Sequence, residues 1–248
     1  MIYAAMTFWM LLVVLMAWGV HRLWAGMIKP KVFNTLLLPG TLAAQTGHVL
    51  GLLVTGATIR NTTLIKDDES GEPETTPDPE PRIPVIGPVI IAMLPLLACA
   101  AGVFLVTKFV ANPFSPSLQS AADATFPMSL ADVWELLRKL ITLAESAVAS
   151  LRGGDFSGWR YWVSVYLMIC LTIRMAPFPG YLRGSLGAIV VLGVGAALIT
   201  SLLDVADPRV VQGWALLNAV VATLLLLLLA SLLVRGTVGL VRVLRSGE

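Results

Sequence analysis

The chain has 248 residues, of which 57% are hydrophobic and only 13% charged, with a mean hydropathy of +0.84. That composition excludes a water-soluble globular domain; long apolar runs repeated along the length define an integral, multi-pass membrane protein. A formal net charge of +2 gives no footprint for a nucleic-acid partner.

Residues 3–20 form the first apolar run, too long for a cleaved signal and read as a retained span. His21, Arg22, Lys29 and Lys31 follow it, which places this linker on the cytoplasmic side and the N-terminus outside. Trp9, Trp18 and Trp24 read as anchors at the membrane interfaces. The next apolar stretch, 40–55, is short for a span and follows a break at Pro39-Gly40. It reads as a tilted, buried or re-entrant helix, and irregular backbone at that depth must be enclosed by other spans.

Residues 60–82 form a polar loop. Between Asp67 and Glu80 lie seven carboxylates interspersed with Pro73, Pro77 and Pro79, too polar and too proline-broken to bury a core. The acids lack the spacing of a calcium loop. Residues 83–111 make the next span, with Pro95 set to kink it and Lys108 near its far end. Cys99 in this span and Cys170 further on read as small hydrophobes rather than a disulfide or metal pair.

Residues 129–151 change character. Leu130, Val133, Trp134, Leu137, Ile141, Ala144, Val148 and Leu151 recur at helical spacing, with charges on the other faces. Ser129 with Asp132 predicts a capping box, and Glu135 with Lys139 a favourable pair one turn apart. This is an amphipathic helix on the membrane surface or on the spans; Trp134, Leu137 and Ile141 are its candidate partner-binding residues, self-packing being the alternative. Further spans are predicted at 159–175, 185–203 and 210–234, the second rich in glycine. Arg235, Arg242 and Arg245 place the C-terminus in the cytoplasm. Counting back puts the Arg174–Arg183 turn inside, the amphipathic helix outside and the acidic loop inside, so that the 40–55 helix enters and returns on the cytoplasmic side. The fold expected is all-α: about five full transmembrane helices, one short buried or re-entrant helix and one amphipathic surface helix, in a single membrane domain spanning 1–248.

The 40–55 helix carries the residues nearest to chemistry. A zinc helix needs His, then Glu, then a second His four residues after the first, so that both imidazoles share a face and the Glu acts as base to a zinc-bound water. Here those positions are Ala44, Gln45 and His48. Alanine has no lone pair for a metal, and glutamine cannot accept a proton at neutral pH. Two readings fit: a membrane helix with one incidental histidine, or the shape of a zinc helix without its chemistry.

The Pro39-Gly40-Thr41 opening, this helix and the closing Thr55-Gly56-Ala57 turn resemble a bacterial M50-like (site-2-protease-type) family of membrane metalloproteases. Met175-Ala176-Pro177 and Leu182-Arg183-Gly184 resemble the family segment that carries the third zinc ligand, an Asp whose position here is Tyr181. The frame runs from about residue 33 to the C-terminus. The resemblance implies a site-2-protease fold in a bacterial cytoplasmic (inner) membrane. Ala44, Gln45 and Tyr181 each depart from the pattern and only His48 survives, whereas a catalytic zinc takes three protein ligands and an open position. The expectation is therefore a degenerate member with no catalytic residues, no metal and no cofactor, an accessory or binding subunit whose partners are other integral membrane proteins and the lipid bilayer. The alternatives are a transporter or channel component, and an active protease with rearranged ligands.

Overall fold

The structure, a computed structural model, describes residues 2–57, 59–63, 74–77, 86–112, 129–154, 158–176, 182–203 and 209–246. In chain order these form α1 (Ile2–Ala25), α2 (Pro30–Leu36), α3 (Leu38–Val54), β1 (Ile59–Thr63), β2 (Glu74–Pro77), α4 (Ile86–Phe109), α5 (Leu130–Arg152), α6 (Trp159–Ile173), α7 (Leu182–Leu203) and α8 (Arg209–Ser246). Among the described residues, the regular elements are helices apart from β1 and β2. These two strands pair antiparallel, so the polar loop is not wholly irregular. The acids from Asp67 to Glu72 lie outside the described residues.

Among the described residues, three helices are long and apolar enough to cross a membrane: Ala4–Ala25, Gly87–Phe109 and Leu216–Leu240. The bent pair α2 and α3 makes up to four if it counts as one span. This corrects the five straight spans expected from sequence. The 159–175 run is a helix of only 15 residues, about 22 Å long, against a hydrocarbon core of about 30 Å. The last helix runs well past the expected end at residue 234, to Ser246.

Contacts along the helices fix their directions. Trp9 meets Trp214 edge-on with ring centroids 5.8 Å apart, Leu228 lies at Gly19, and Trp24 Nε1 donates to Ser231 Oγ at 2.6 Å, so α1 and α8 run parallel. Trp9 and Trp24 are thus helix-packing residues rather than the interface anchors expected. Gly193 abuts Thr7, and Ala188 and Ile189 cluster with Val14, so α7 runs against α1. Met93 and Leu96 of α4 join that cluster. Further along α4, Cys99 reaches Gly40, which abuts Cys170, and Cys170 clusters with Val20. α4 therefore runs with α1.

α3 runs against α4, with Gly40, Gly47 and Gly51 meeting Cys99, Leu94 and Ile91 in turn. It heads from the level of Val20 back toward the level at which α1 begins. A bent pair of this kind is a broken span or a re-entrant loop.

Candidate functional site

The break in the span falls at Leu37, two residues before the Pro39-Gly40 pair, and α2 and α3 meet there at 81°. Pro39 sits inside the first turn of α3, where its missing N–H has no partner to lose. The helix ends at the elbow leave carbonyls without intrahelical partners, and protein groups take them. Thr41 donates both its backbone N–H and its hydroxyl to the Leu37 carbonyl, at 2.9 and 3.0 Å. Tyr166 OH of α6 donates to the Leu36 carbonyl at 2.7 Å, and Cys170 Sγ approaches the same oxygen at 3.5 Å.

Beside the elbow, Arg174 Nη2 donates to Asn34 Oδ1 at 2.6 Å, with both side chains buried. His21 stands against Phe33, ring centroids 5.2 Å apart, at the same end of α1. The sequence places Arg174 in an aqueous turn; the structure buries it in the bundle. The sequence reading missed Asn34, Tyr166 and Arg174. Tyr166 and Arg174 have a signal in their positions about two and four turns into the 159–175 apolar run, because a polar group there must find a partner or a role. A further group at depth is Asn218 of α8, fully buried, whose amide nitrogen and oxygen have no hydrogen-bond partner among the described residues.

α3 itself packs through its smallest residues. A Cβ built on Gly40 would fall inside the Cys170 carbonyl of α6. On Gly47 it would lie 2.7 Å from Pro95 Cα and 2.8 Å from Ala98 Cβ; on Gly51, 3.0 Å from Ile91 Cα. Glycine lets the backbones of α3, α4 and α6 approach this closely. The helix closes on Gly56, at φ 81°, where Gly56 N–H bonds the Leu53 carbonyl and Ala57 N–H the Leu52 carbonyl, while Ala57 and Leu52 pack together. This is a Schellman stop, and it needs the left-handed conformation that glycine adopts without strain.

The three motif positions follow from this packing. Ala44, at the first-His position, is 1% exposed and lies in the largest core cluster with residues such as Trp9, Cys99 and Leu171. Gln45 and His48 are also buried, and neither is without a partner. Tyr181, together with Asp204 and Asp207, lies outside the described residues. Among the described residues no group of three or more His, Cys, Asp or Glu stands together to hold a metal ion.

The candidate partner-binding residues lie elsewhere. α5 opens with the predicted capping box: Ser129 Oγ accepts from Asp132 N–H at 3.2 Å, and Asp132 Oδ2 accepts from Ser129 N–H at 2.9 Å. Lys139 pairs with Glu135 at 3.2 Å. One face of α5, including Leu143 and Ala147, joins the core. Trp134, Leu137 and Ile141 are exposed at 65, 46 and 61% and line a groove of about 820 Å³ between α5 and α8. No family model matches the chain, and no curated protein or solved structure is significantly similar to it.

Proposed function

We propose that this chain is a degenerate M50-like protein of a bacterial cytoplasmic membrane that works by binding, as an accessory subunit beside other integral membrane proteins. The observation that carries the reading is the state of α3. The position that would offer the first imidazole is a core alanine, set among glycines that bring three helices into backbone contact. Packing occupies the face on which zinc chemistry would stand. Purification from native membranes tests it: the reading expects a fixed-stoichiometry complex with another membrane protein. A chain that elutes alone and cleaves a membrane peptide, with cleavage lost in His48→Ala, contradicts it.

The helix directions support a topology for this reading. With α1 running inward, the bent pair runs outward, α4 inward, α7 outward and α8 inward. We take α7 as a shorter crossing beside the up to four spans that length and hydropathy admit, which gives an external N-terminus and a cytoplasmic C-terminus, with α6 entering without crossing. Were α6 to cross as well, α7 would run with α1 rather than against it. The arrangement sets Lys108, Arg138, Lys139 and Arg152 beside the cytoplasm, as the bias of basic residues favours.

A second reading, a transporter or channel component, is favoured by one specific observation. Broken helices beside buried polar groups are how many transporters build a substrate site, and here an 81° elbow adjoins Asn34 and Arg174. Solute flux into reconstituted vesicles, lost in Arg174→Met, would establish it. Vesicles that stay tight would remove it.

A further inference from the structure

α5 has two apolar faces, and only one of them meets the core. The second is built as a heptad. Trp134, Ile141 and Val148 stand at seven-residue intervals, Leu137, Ala144 and Leu151 likewise, and the two series alternate at spacings of three and four. This is the a/d seam of a helix made to pack lengthwise against another. Leu140 and Ala147, at the g positions, pack inward. The e positions on the open edge are Arg138, Glu145 and Arg152, again seven apart.

All three of these charged residues are exposed and line the α5–α8 groove, and none of their side chains has an ion pair or hydrogen bond among the described residues. Charges at the edges of such a seam select the partner and its orientation. A helix about 10 Å across fills roughly 400 Å³ per turn, so a groove of about 820 Å³ has the scale of a helix ridge.

The charge order decides among occupants. Positive, negative, positive reads the same in both directions. A second copy of α5 packed antiparallel sets like charge against like; packed parallel, it sets these charges against the apolar g positions Leu140 and Ala147. A lipid places acyl chains against Leu225 and Leu229, but its single headgroup cannot reach all three charges, which span 14 residues or about 21 Å of helix.

We infer that the groove between α5 and α8 docks a helix of a different protein, one carrying an apolar stripe edged by acid, base and acid at seven-residue intervals. The inference deepens the binding reading above by naming the partner's chemistry.

Two synthetic helical peptides test it against the full-length protein in lipid nanodiscs. Both carry leucine at the a and d positions; one has Glu-Lys-Glu and the other Lys-Glu-Lys at the edge positions. Fluorescence anisotropy should show the Glu-Lys-Glu peptide binding about tenfold more tightly, since three exposed pairs change from attraction to repulsion. The triple variant Arg138→Glu, Glu145→Arg, Arg152→Glu should reverse the preference. These substitutions are on exposed sites outside the core, and a reversal of preference also shows that the protein is folded. Equal binding of both peptides, binding of neither, or a preference that the variant leaves in place overturns the proposal. A photocrosslinker at Ile141 in native membranes overturns it if the adduct is a second copy or a lipid. Failure of the peptide test leaves a copurified complex standing with another docking face, whereas proteolysis dependent on His48 ends the accessory reading without touching the peptide result.

Discussion

Glycine and alanine at Gly40, Ala44, Gly47 and Gly51 explain why α3 sits where it does. At Gly40, Gly47 and Gly51 a neighbouring backbone occupies the space a side chain would need, and Ala44 lies in the core. Gly40→Ala pushes against a carbonyl of α6 rather than a movable side chain and should lower stability by about 1–3 kcal/mol. Gly184→Ala, with nothing within 4 Å of the added carbon, should leave it nearly unchanged. Thermal unfolding in detergent compares the two; equal effects would mean that the α3–α6 contact is not close. The buried Arg174–Asn34 bond is the second sensitive point. Asn34→Leu removes an acceptor from an enclosed guanidinium and should cost about 2 kcal/mol, while Tyr166→Phe, which frees the Leu36 carbonyl, should cost about 1 kcal/mol. A Tyr166→Phe loss as large as that of Asn34→Leu would make the elbow carbonyl, rather than the cation, the main strain at this site.

At the scale of elements, local chemistry was readable in the sequence wherever it is short in range. The Ser129–Asp132 box, the Glu135–Lys139 pair and the glycine stop after α3 depend on residues within one turn of each other, and all three stand in the structure. Ser129→Ala should destabilise the start of α5 by about 1 kcal/mol. Hydrogen exchange would show it as faster exchange confined to the first turn of the helix; unchanged exchange there would mean that packing against α8, not the cap, holds that end. The elbow was misplaced by two residues because Pro39 is a plausible breaker but an equally good first-turn residue. The choice between those roles belongs to Tyr166 and Cys170, more than a hundred residues away. Trp9 and Trp24 were misread for the same reason: an aromatic near a span end suits an interface or a helix contact, and only the partners Trp214 and Ser231 decide.

For the whole molecule, composition sufficed for the helical membrane class but not for the path of the chain. Length and hydropathy cannot separate α6, a 15-residue helix, from a span, nor a bent pair from a return loop. The order of contacts along α3 and α4 supports the proposed topology, and it carries a prediction. A single cysteine introduced at Asp68, in a Cys99→Ala, Cys170→Ala background, should react with a membrane-impermeant thiol reagent from the same side as a tag at the N-terminus. One at Lys139 should react from the opposite side. Labelling of both from one side would break the proposed topology.

The central proposal is that a helix shaped to present zinc ligands has been closed by packing, with Ala44 in the core and only His48 left of the motif. Its most direct test is the zinc content of the full-length protein, purified from native membranes without chelator and measured by elemental mass spectrometry beside a His48→Ala variant. The account predicts zinc far below one ion per chain and no difference between the two proteins. One tightly held zinc per chain, lost in His48→Ala, would contradict it.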